Sequence, residues 1–330
     1  MGAEPGVTVA VVGAVGAGIV YHLPRMPENG ETLLTATIQV VPGGKASNHA
    51  IGLRRLGAGV RLFSAAGRDP FAQQARAAWR AEELDARGVV ELDGVPSLIG
   101  SVLVDAAGDN RIVIGTGAMG RYTAEHVQAF ATEIAACDLL LVSLEMPAAP
   151  GLRALRIARD AGVTTILNPA PAPSPVDAAR LLPLCDWVTP NRAEAVAMTG
   201  LSDPRAAAVR LRELGAGGVV VTLGGDGALL LGDGEELAVP AMRVEVLDTS
   251  GAGDAFNCAF ALATAQGLPA GEAVRRGCLA AGLIVQGPNF TDALRLWDRL
   301  PRLLGGPQAP PPTGGPEVPP PAGPTAAAPP

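Results

Sequence analysis

Short, unbroken apolar runs recur along the chain at Val7–Val12, Leu139–Val142, Thr164–Leu167, Trp187–Thr189 and Gly218–Leu223. A run of this length without polar alternation has no wet face, so it reads as a strand covered on both sides. Between the runs lie Ala-rich amphipathic stretches, such as Gly151–Ala161 and Pro204–Leu214, in which apolar residues recur at helical spacing. Strand and helix signals in alternation predict a mainly parallel sheet covered by helices, the doubly wound α/β class. With 330 residues, 48% of them hydrophobic, the chain can bury a large core in one large domain or two smaller ones.

Two segments depart from this rhythm. Glu31–Val41 and Ser97–Ile114 alternate polar and apolar residues, and the second contains Gly108-Asp109-Asn110, a favourable hairpin turn. Alternation implies strands with one solvated face. Both segments are therefore expected in a small sheet that projects from the main body, as a cover over a site or a dimer contact. The stretch from Gly305 to Pro330 is mostly Pro, Gly and Ala. It has little apolar side chain to offset the entropy of ordering, so it is expected to be a disordered tail.

Charge and cysteine usage exclude several classes. The formal net charge is -7 and no Lys/Arg-rich run occurs, which argues against a partner recognised through phosphate contacts, nucleic acid above all. Cys137, Cys185, Cys258 and Cys278 are scattered and form no CxxC pair. Neither a metal site nor a disulfide framework is expected from them, and a reducing cytoplasm fits. No basic segment precedes the first apolar run, and no apolar stretch reaches the ~18 residues of a membrane span.

The first apolar run leads into Gly13-Ala14-Val15-Gly16-Ala17-Gly18, which invites a dinucleotide-binding reading. The spacing is wrong for GxGxxG, because Tyr21 stands where the third small residue belongs. Pro24 and Pro27 follow, where a helix would have to receive the pyrophosphate. A Walker A sequence is also absent, so a bound ATP needs another cradle. Asp248-Thr249-Ser250-Gly251-Ala252-Gly253-Asp254-Ala255-Phe256 offers one, between the strand-like Arg243–Leu247 and the helical stretch Ala255–Gln266. Glycines at a helix start let backbone N–H groups point at an anion, assisted by the helix dipole. Asp254 then lies beside that anion hole, where a carboxylate can take a proton from a hydroxyl as the amides neutralise a phosphoryl group. A lone acid in a helix's first turn is usually only a favourable cap. The flanking glycines tip the reading towards catalysis.

DTSGAGDAF resembles the C-terminal motif of the ribokinase (PfkB) family of carbohydrate kinases, and four more segments match in family order. Gly43–Asn48 (GGKASN) resembles the GGKGAN motif, and Asn168–Ala172 the NPAPA segment. Thr189–Glu194 resembles TPNxxE, and Thr222–Gly227 the TLGxxG loop. The resemblance covers about residues 7 to 300. It implies a ribokinase-like domain over 1–304, with lid segments at about 19–42 and 97–117, and the tail at 305–330. The implied activity is ATP- and Mg²⁺-dependent phosphorylation of a primary hydroxyl on a small sugar. Asp254 is implied as the base, and the amides of Gly251, Ala252 and Gly253 as the anion hole. Gly44, Lys45, Asn48 and Glu145 are implied to hold the sugar. Asn191 and Glu194 are implied at the phosphates, Glu194 reaching Mg²⁺ through water. Thr222, Gly224, Gly225, Asp226 and Gly227 line the nucleotide in this reading, with Gly253 at its phosphates and Cys278 near the adenine. Asp248 and Ser250 are implied as ligands of K⁺, and the lid as the contact of a homodimer.

Plainer readings stand beside these. Asn191 and Glu194 have the spacing of a capping box, and both roles can coexist. His49 follows Asn48 on a predicted helix and reads as structural, while His22 and His126 have no partner at catalytic spacing. Ribokinases carry an Asn and an Asp at the positions of Gly16 and Gly18, so bidentate recognition of a diol is lost here. That leaves room for a bulkier group and keeps a nucleoside kinase open as the alternative. Val285–Thr291 departs from the family's cation-binding stretch. A catalytically silent sugar-binding regulator is the reading from another class, and the intact DTSGAGDAF speaks against it.

Overall fold

The computed structural model describes residues 6–35, 37–106, 110–232, 234–287 and 290–303. The Pro/Gly/Ala-rich stretch 305–330, expected as a tail, lies outside them. The strands are β1 (Thr8–Val12), β2 (Gly16–His22), β3 (Ile38–Gly43), β4 (Gly59–Ala66), β5 (Asp85–Glu91), β6 (Leu98–Val104) and β7 (Asn110–Gly115). After them come β8 (Leu139–Ser143), β9 (Thr164–Asn168), β10 (Trp187–Val188), β11 (Gly218–Thr222), β12 (Ala228–Gly232) and β13 (Glu235–Val239).

All five unbroken apolar runs are strands of one nine-stranded sheet, ordered β13-β12-β11-β10-β9-β8-β1-β4-β5. It is parallel from β11 to β5, and only the pairs β11–β12 and β12–β13 are antiparallel. The absence of a wet face has a direct cause in β1, whose side chains alternate between two cores. Val9 and Val11 pack into one, Ala10 and Val12 into the other; Leu139 and Leu141 of β8 are divided from Leu140 and Val142 in the same way. Helices cover both faces. The amphipathic stretches form Ala148–Asp160 and Pro204–Glu213. The second starts where a helix should: Asp203 accepts from the Ala206 N–H at 2.7 Å, and Pro204 takes the first helical position.

The alternating segments form a separate four-stranded sheet, β3-β2-β6-β7. Strands β6 and β7 pair antiparallel as the hairpin reading requires, while residues 107–109 of its turn lie outside the described residues. The sheet is longer than the segments suggested. Its strand β2 starts at Gly16, inside the glycine-rich stretch, and β3 runs to Gly43, whereas 31–35 is not strand. By register Ile38, Val40 and Val113 share one face with Ile19 and Tyr21; Ile112 and Ile114 share the other with Gly18 and Gly100. Ile38, Val40, Ile112, Val113 and Ile114 are all exposed. Arg243–Leu247, read as strand-like, is irregular. Its Leu247 N–H is taken by the Val285 carbonyl at 2.8 Å, at the end of helix Ala270–Ile284, rather than by a strand.

Chain order reverses direction in the large sheet between β1 and β8, the position where open α/β sheets form a crevice beyond their strand ends. The Gly-rich turn after β1, Glu145 after β8, Asn168 ending β9, Asn191 after β10 and Thr222 ending β11 all stand at the same, carboxyl-terminal edge. No helix among the described residues is long and apolar enough to cross a membrane.

Candidate active site

Two helix starts meet above this crevice. Helix Lys45–Arg55 begins after Gly44, whose φ of 89° places it in the left-handed region. A Cβ there would overlap the Ala14 carbonyl, so only glycine allows the approach. Lys45, Asn48 and His49 have the i, i+3, i+4 spacing that puts them on one helical face. Helix Ala252–Ala265 begins after Gly251, with φ 79°, where a Cβ would lie 2.5 Å from the Phe290 ring. Asp254 is the third residue of that helix. Around Gly253 the space is open, with no atom within 4 Å of where a side chain would start.

Asp254 is only 5% exposed. Its Oδ2 accepts from Asn48 Nδ2 at 2.7 Å, and its Oδ1 lies 3.4 Å from Lys45 Nζ and 3.3 Å from His49 Nε2. Burial alone would push this carboxyl up, but the Lys45 charge, then His49 and Asn48, outweigh it and hold it well below the usual carboxylate range. Asp254 is therefore a buried, ionised carboxylate. The reciprocal effect raises Lys45 to about 12, through Asp254 first, against burial, and with Glu145 and Glu194 adding to it. Glu145 accepts from the Lys45 backbone N–H at 2.8 Å, capping the helix's first turn from outside. Burial pushes the Glu145 and Glu194 carboxyls up. One ammonium thus serves three acids in a site that is partly desolvated.

The loops on the other side of the sheet are shaped by glycine. Asn191 and Glu194 form a complete capping box, each side chain accepting from the other's backbone N–H at 2.8 Å. Glu194 still acts on the charges of Lys45 and Asp254. The Thr222 N–H donates to Pro190 O at 2.9 Å, joining this turn to the Thr222–Gly227 loop. Gly224 (φ 63°) and Gly225 have open space beside them, Asp226 pairs with Arg192 at 3.1 Å, and Gly227 is pressed against the Val239 carbonyl. Cys278 is buried on helix Ala270–Ile284. Asp248 Oδ1 accepts from the Ser250 N–H at 2.8 Å, and the Ala252 N–H is taken by Thr249 O at 3.2 Å. Among the described residues no cluster of three or more His, Cys, Asp or Glu could hold a metal ion.

Residues 8–295 match the pfkB family of carbohydrate kinases. This chain belongs to that family. It is 33% identical to a ribokinase of Haemophilus influenzae, over 84% of this chain and 92% of that one. A deoxyribokinase of Salmonella typhi is 30% identical over the same shares. The solved structure of Arabidopsis thaliana ribokinase complexed with ribose and ATP superposes with a TM-score of 0.77 at 26% identity, covering 88% of this chain and 98% of that one. The chain is accordingly a sugar kinase, a phosphotransferase with an alcohol group as acceptor, on the ribokinase-like fold.

Of the residues singled out in the sequence of this kinase, Lys45, Asn48, Glu145 and Asp254 come together, with Glu194 coupled to them through charge. Sequence reasoning missed three buried groups. His49, read as structural, faces Asp254. Asn257, one turn after Gly253, donates to the Gly253 carbonyl at 2.8 Å and accepts from Thr189 Oγ1 at 2.6 Å. Asn168 in turn donates to the Thr189 carbonyl at 3.1 Å. The i, i+4 step from Gly253 to Asn257 was the available signal; nothing local marks its link to Thr189. His126 caps its own helix with Thr123. The pair Gly16 and Gly18 divides. A Cβ on Gly16 would overlap the Leu98 carbonyl of β6, so this glycine opens no room, contrary to the expectation. A Cβ on Gly18 would meet only Val41 Cγ2, at 3.3 Å.

Proposed function

We propose that this kinase transfers the γ-phosphoryl group of ATP to a primary hydroxyl of a small sugar, with Asp254 as the general base. The observation that carries this is Asp254 itself, a buried ionised carboxylate at the open, glycine-built start of a helix and within reach of Lys45 and Asn48. The hydroxyl gives its proton to Asp254 while its oxygen bonds to the γ-phosphorus, and the bond to the β–γ bridging oxygen breaks to release ADP. A carboxyl held so low is a weak base in the unliganded chain. Sugar hydroxyls that draw Lys45 and Asn48 away would raise it towards a useful range. Gly44 and Glu145 complete the sugar contacts in this reading.

Amides at Gly251, Ala252 and Gly253 would stabilise charge on the transferring group, the Ala252 N–H giving up the Thr249 carbonyl to do so. Thr222, Gly224, Gly225, Asp226 and Gly227 would line the nucleotide, with Cys278 giving an apolar contact near the adenine. Mg²⁺, bound with the phosphates and reached by Asn191 and Glu194 through water, would neutralise charge there. Asp248 and Ser250 are the candidate ligands of an activating K⁺. The four free thiols fit a reducing cytoplasm, and the exposed apolar residues of the small sheet fit a homodimer formed through it. The space beside Gly18 favours one second reading, a nucleoside kinase whose acceptor carries its base there.

The test is ADP release screened over pentoses, hexoses, ketoses and nucleosides, with Asp254→Asn in parallel. Asp254→Asn is expected to bind ATP normally and to lose about 10²–10⁴ in kcat. A variant that keeps more than half of the wild-type kcat removes Asp254 from the mechanism.

A further inference from the structure

His49 is fully buried, and its imidazole faces Asp254. Its Nε2 stands 3.3 Å from Asp254 Oδ1, but the direction is poor, and neither ring nitrogen makes a well-aligned hydrogen bond with any described residue. A polar ring buried without a satisfied partner costs stability that an apolar residue would avoid. Packing alone does not ask for histidine here.

The groups around the ring define what it can do. Lys45 and Asn48 share its helical face, Asp254 and Cys258 lie on the facing helix, and Glu145 acts on it from the loop after β8. The Cys258 thiol donates to the His49 carbonyl at 3.5 Å. Among the described residues the acceptor paired with Nε2 is the Asp254 carboxylate, which assigns the proton to Nε2. Asp254 thus has three donors around it, and they differ in accessibility. Lys45 is 28% exposed, and Asn48 stands beside it, where a polyol can compete for both. His49 is fully buried, out of a polyol's reach.

We propose that His49 is a positioning residue for the base. When the acceptor takes Lys45 and Asn48, the carboxylate is left with Nε2–H, and a small rotation brings the 3.3 Å contact into line. Such bonds are often long before substrate binds and tighten in the complex. The retained donor holds Oδ1, aims Oδ2 at the hydroxyl proton and keeps the group ionised. This rests on the reading of Asp254 as base.

The experiment compares His49→Leu, His49→Gln and Asp254→Asn with wild type by steady-state kinetics across pH and by thermal unfolding, using the best acceptor from the screen. His49→Leu keeps the volume but no donor. Its kcat is expected to fall about ten- to a hundredfold, the worth of one charge-assisted hydrogen bond. KM for sugar and ATP should stay within about twofold, and Tm should not drop. The acid limb of kcat should move to higher pH, because a lost donor raises the carboxyl's pKa. His49→Gln, whose amide can reach the same oxygen, should recover to within about threefold of wild type. If Asp254→Asn is inactive while His49→Leu keeps wild-type kcat and pH profile, His49 only packs and the inference is overturned. Equal losses in the Leu and Gln variants, each with a lowered Tm, overturn it as well. If Asp254→Asn stays active, the reading of the base fails instead, and the inference with it.

Discussion

Lys45→Met tests whether the charge at the centre of the site is as interdependent as its geometry implies. The ammonium lies 3.4 Å from Asp254 Oδ1. At that distance two unit charges attract by about 5 kcal/mol for an effective dielectric of about 20. The substitution also removes the dehydration of Lys45 itself and leaves Asn48 and His49 on the carboxylate. The net loss is therefore placed at about 3 kcal/mol, the lower end for breaking a buried pair. Spread over about 300 ordered residues, that lowers Tm by about 5 °C. The effect must depend on pH. Asp254 is depressed in the folded chain, so its contribution is complete above the unfolded value of about 3.9 and is lost as pH falls through the lower folded value. Lys45 is raised to about 12, so its contribution is complete below about 10.4 and is lost as pH rises through that folded value. In the variant, burial is left to dominate and the Asp254 carboxyl moves up. Thermal unfolding of the two proteins should thus show a gap near pH 7 that narrows from the variant's raised carboxyl range, above about 4, down towards pH 2. A gap that stays constant over that range, or a variant as stable as wild type near pH 7, would refute the electrostatic account.

The two glycines of β2 should answer differently. Gly18→Asp is expected to fold and to raise kcat/KM for ribose about two- to tenfold, the worth of one or two hydroxyl hydrogen bonds, while impairing a bulkier natural acceptor. Gly16→Asn, which collides with the β6 backbone, should instead lower Tm by several degrees. A wild-type enzyme that prefers ribose to every nucleoside and substituted sugar tested would show that Gly18 does not redirect specificity. On the small sheet, Ile38→Lys combined with Val113→Lys charges the face that also carries Val40 and is expected to turn the proposed dimer into a monomer by light scattering, with Tm little changed. An unaltered oligomer would place the interface elsewhere.

Some of the molecule follows from local rules alone. The five apolar runs became parallel strands because a run without polar alternation can only sit between two cores, as Val9 and Ala10 do. Strands with polar or charged positions escaped notice: β4 includes Arg61 and Ser64, and β5 is a charged edge strand ending at Glu91. Strand β2 was hidden by glycines that suggested a phosphate loop. Arg243–Leu247 had strand-like residues, but the segment is irregular, and tertiary contact with Val285 takes its Leu247 N–H.

The site divides along the same line. Left-handed glycines at positions 44 and 251, the capping box of Asn191 and Glu194, and the shared face of Lys45, Asn48 and His49 are each set by a few neighbouring residues. Glycine tolerates such angles, and the shared face follows from 3.6 residues per turn, so both are legible in the local sequence. Tertiary structure alone brought Lys45 and Asp254 together across 209 positions, buried His49 beneath them, and filled the space at Gly16 with the Leu98 carbonyl. The ionisation of Asp254 belongs to that second group. It is set by exclusion of water and by charges a few ångströms away, and both exist only once distant segments have packed.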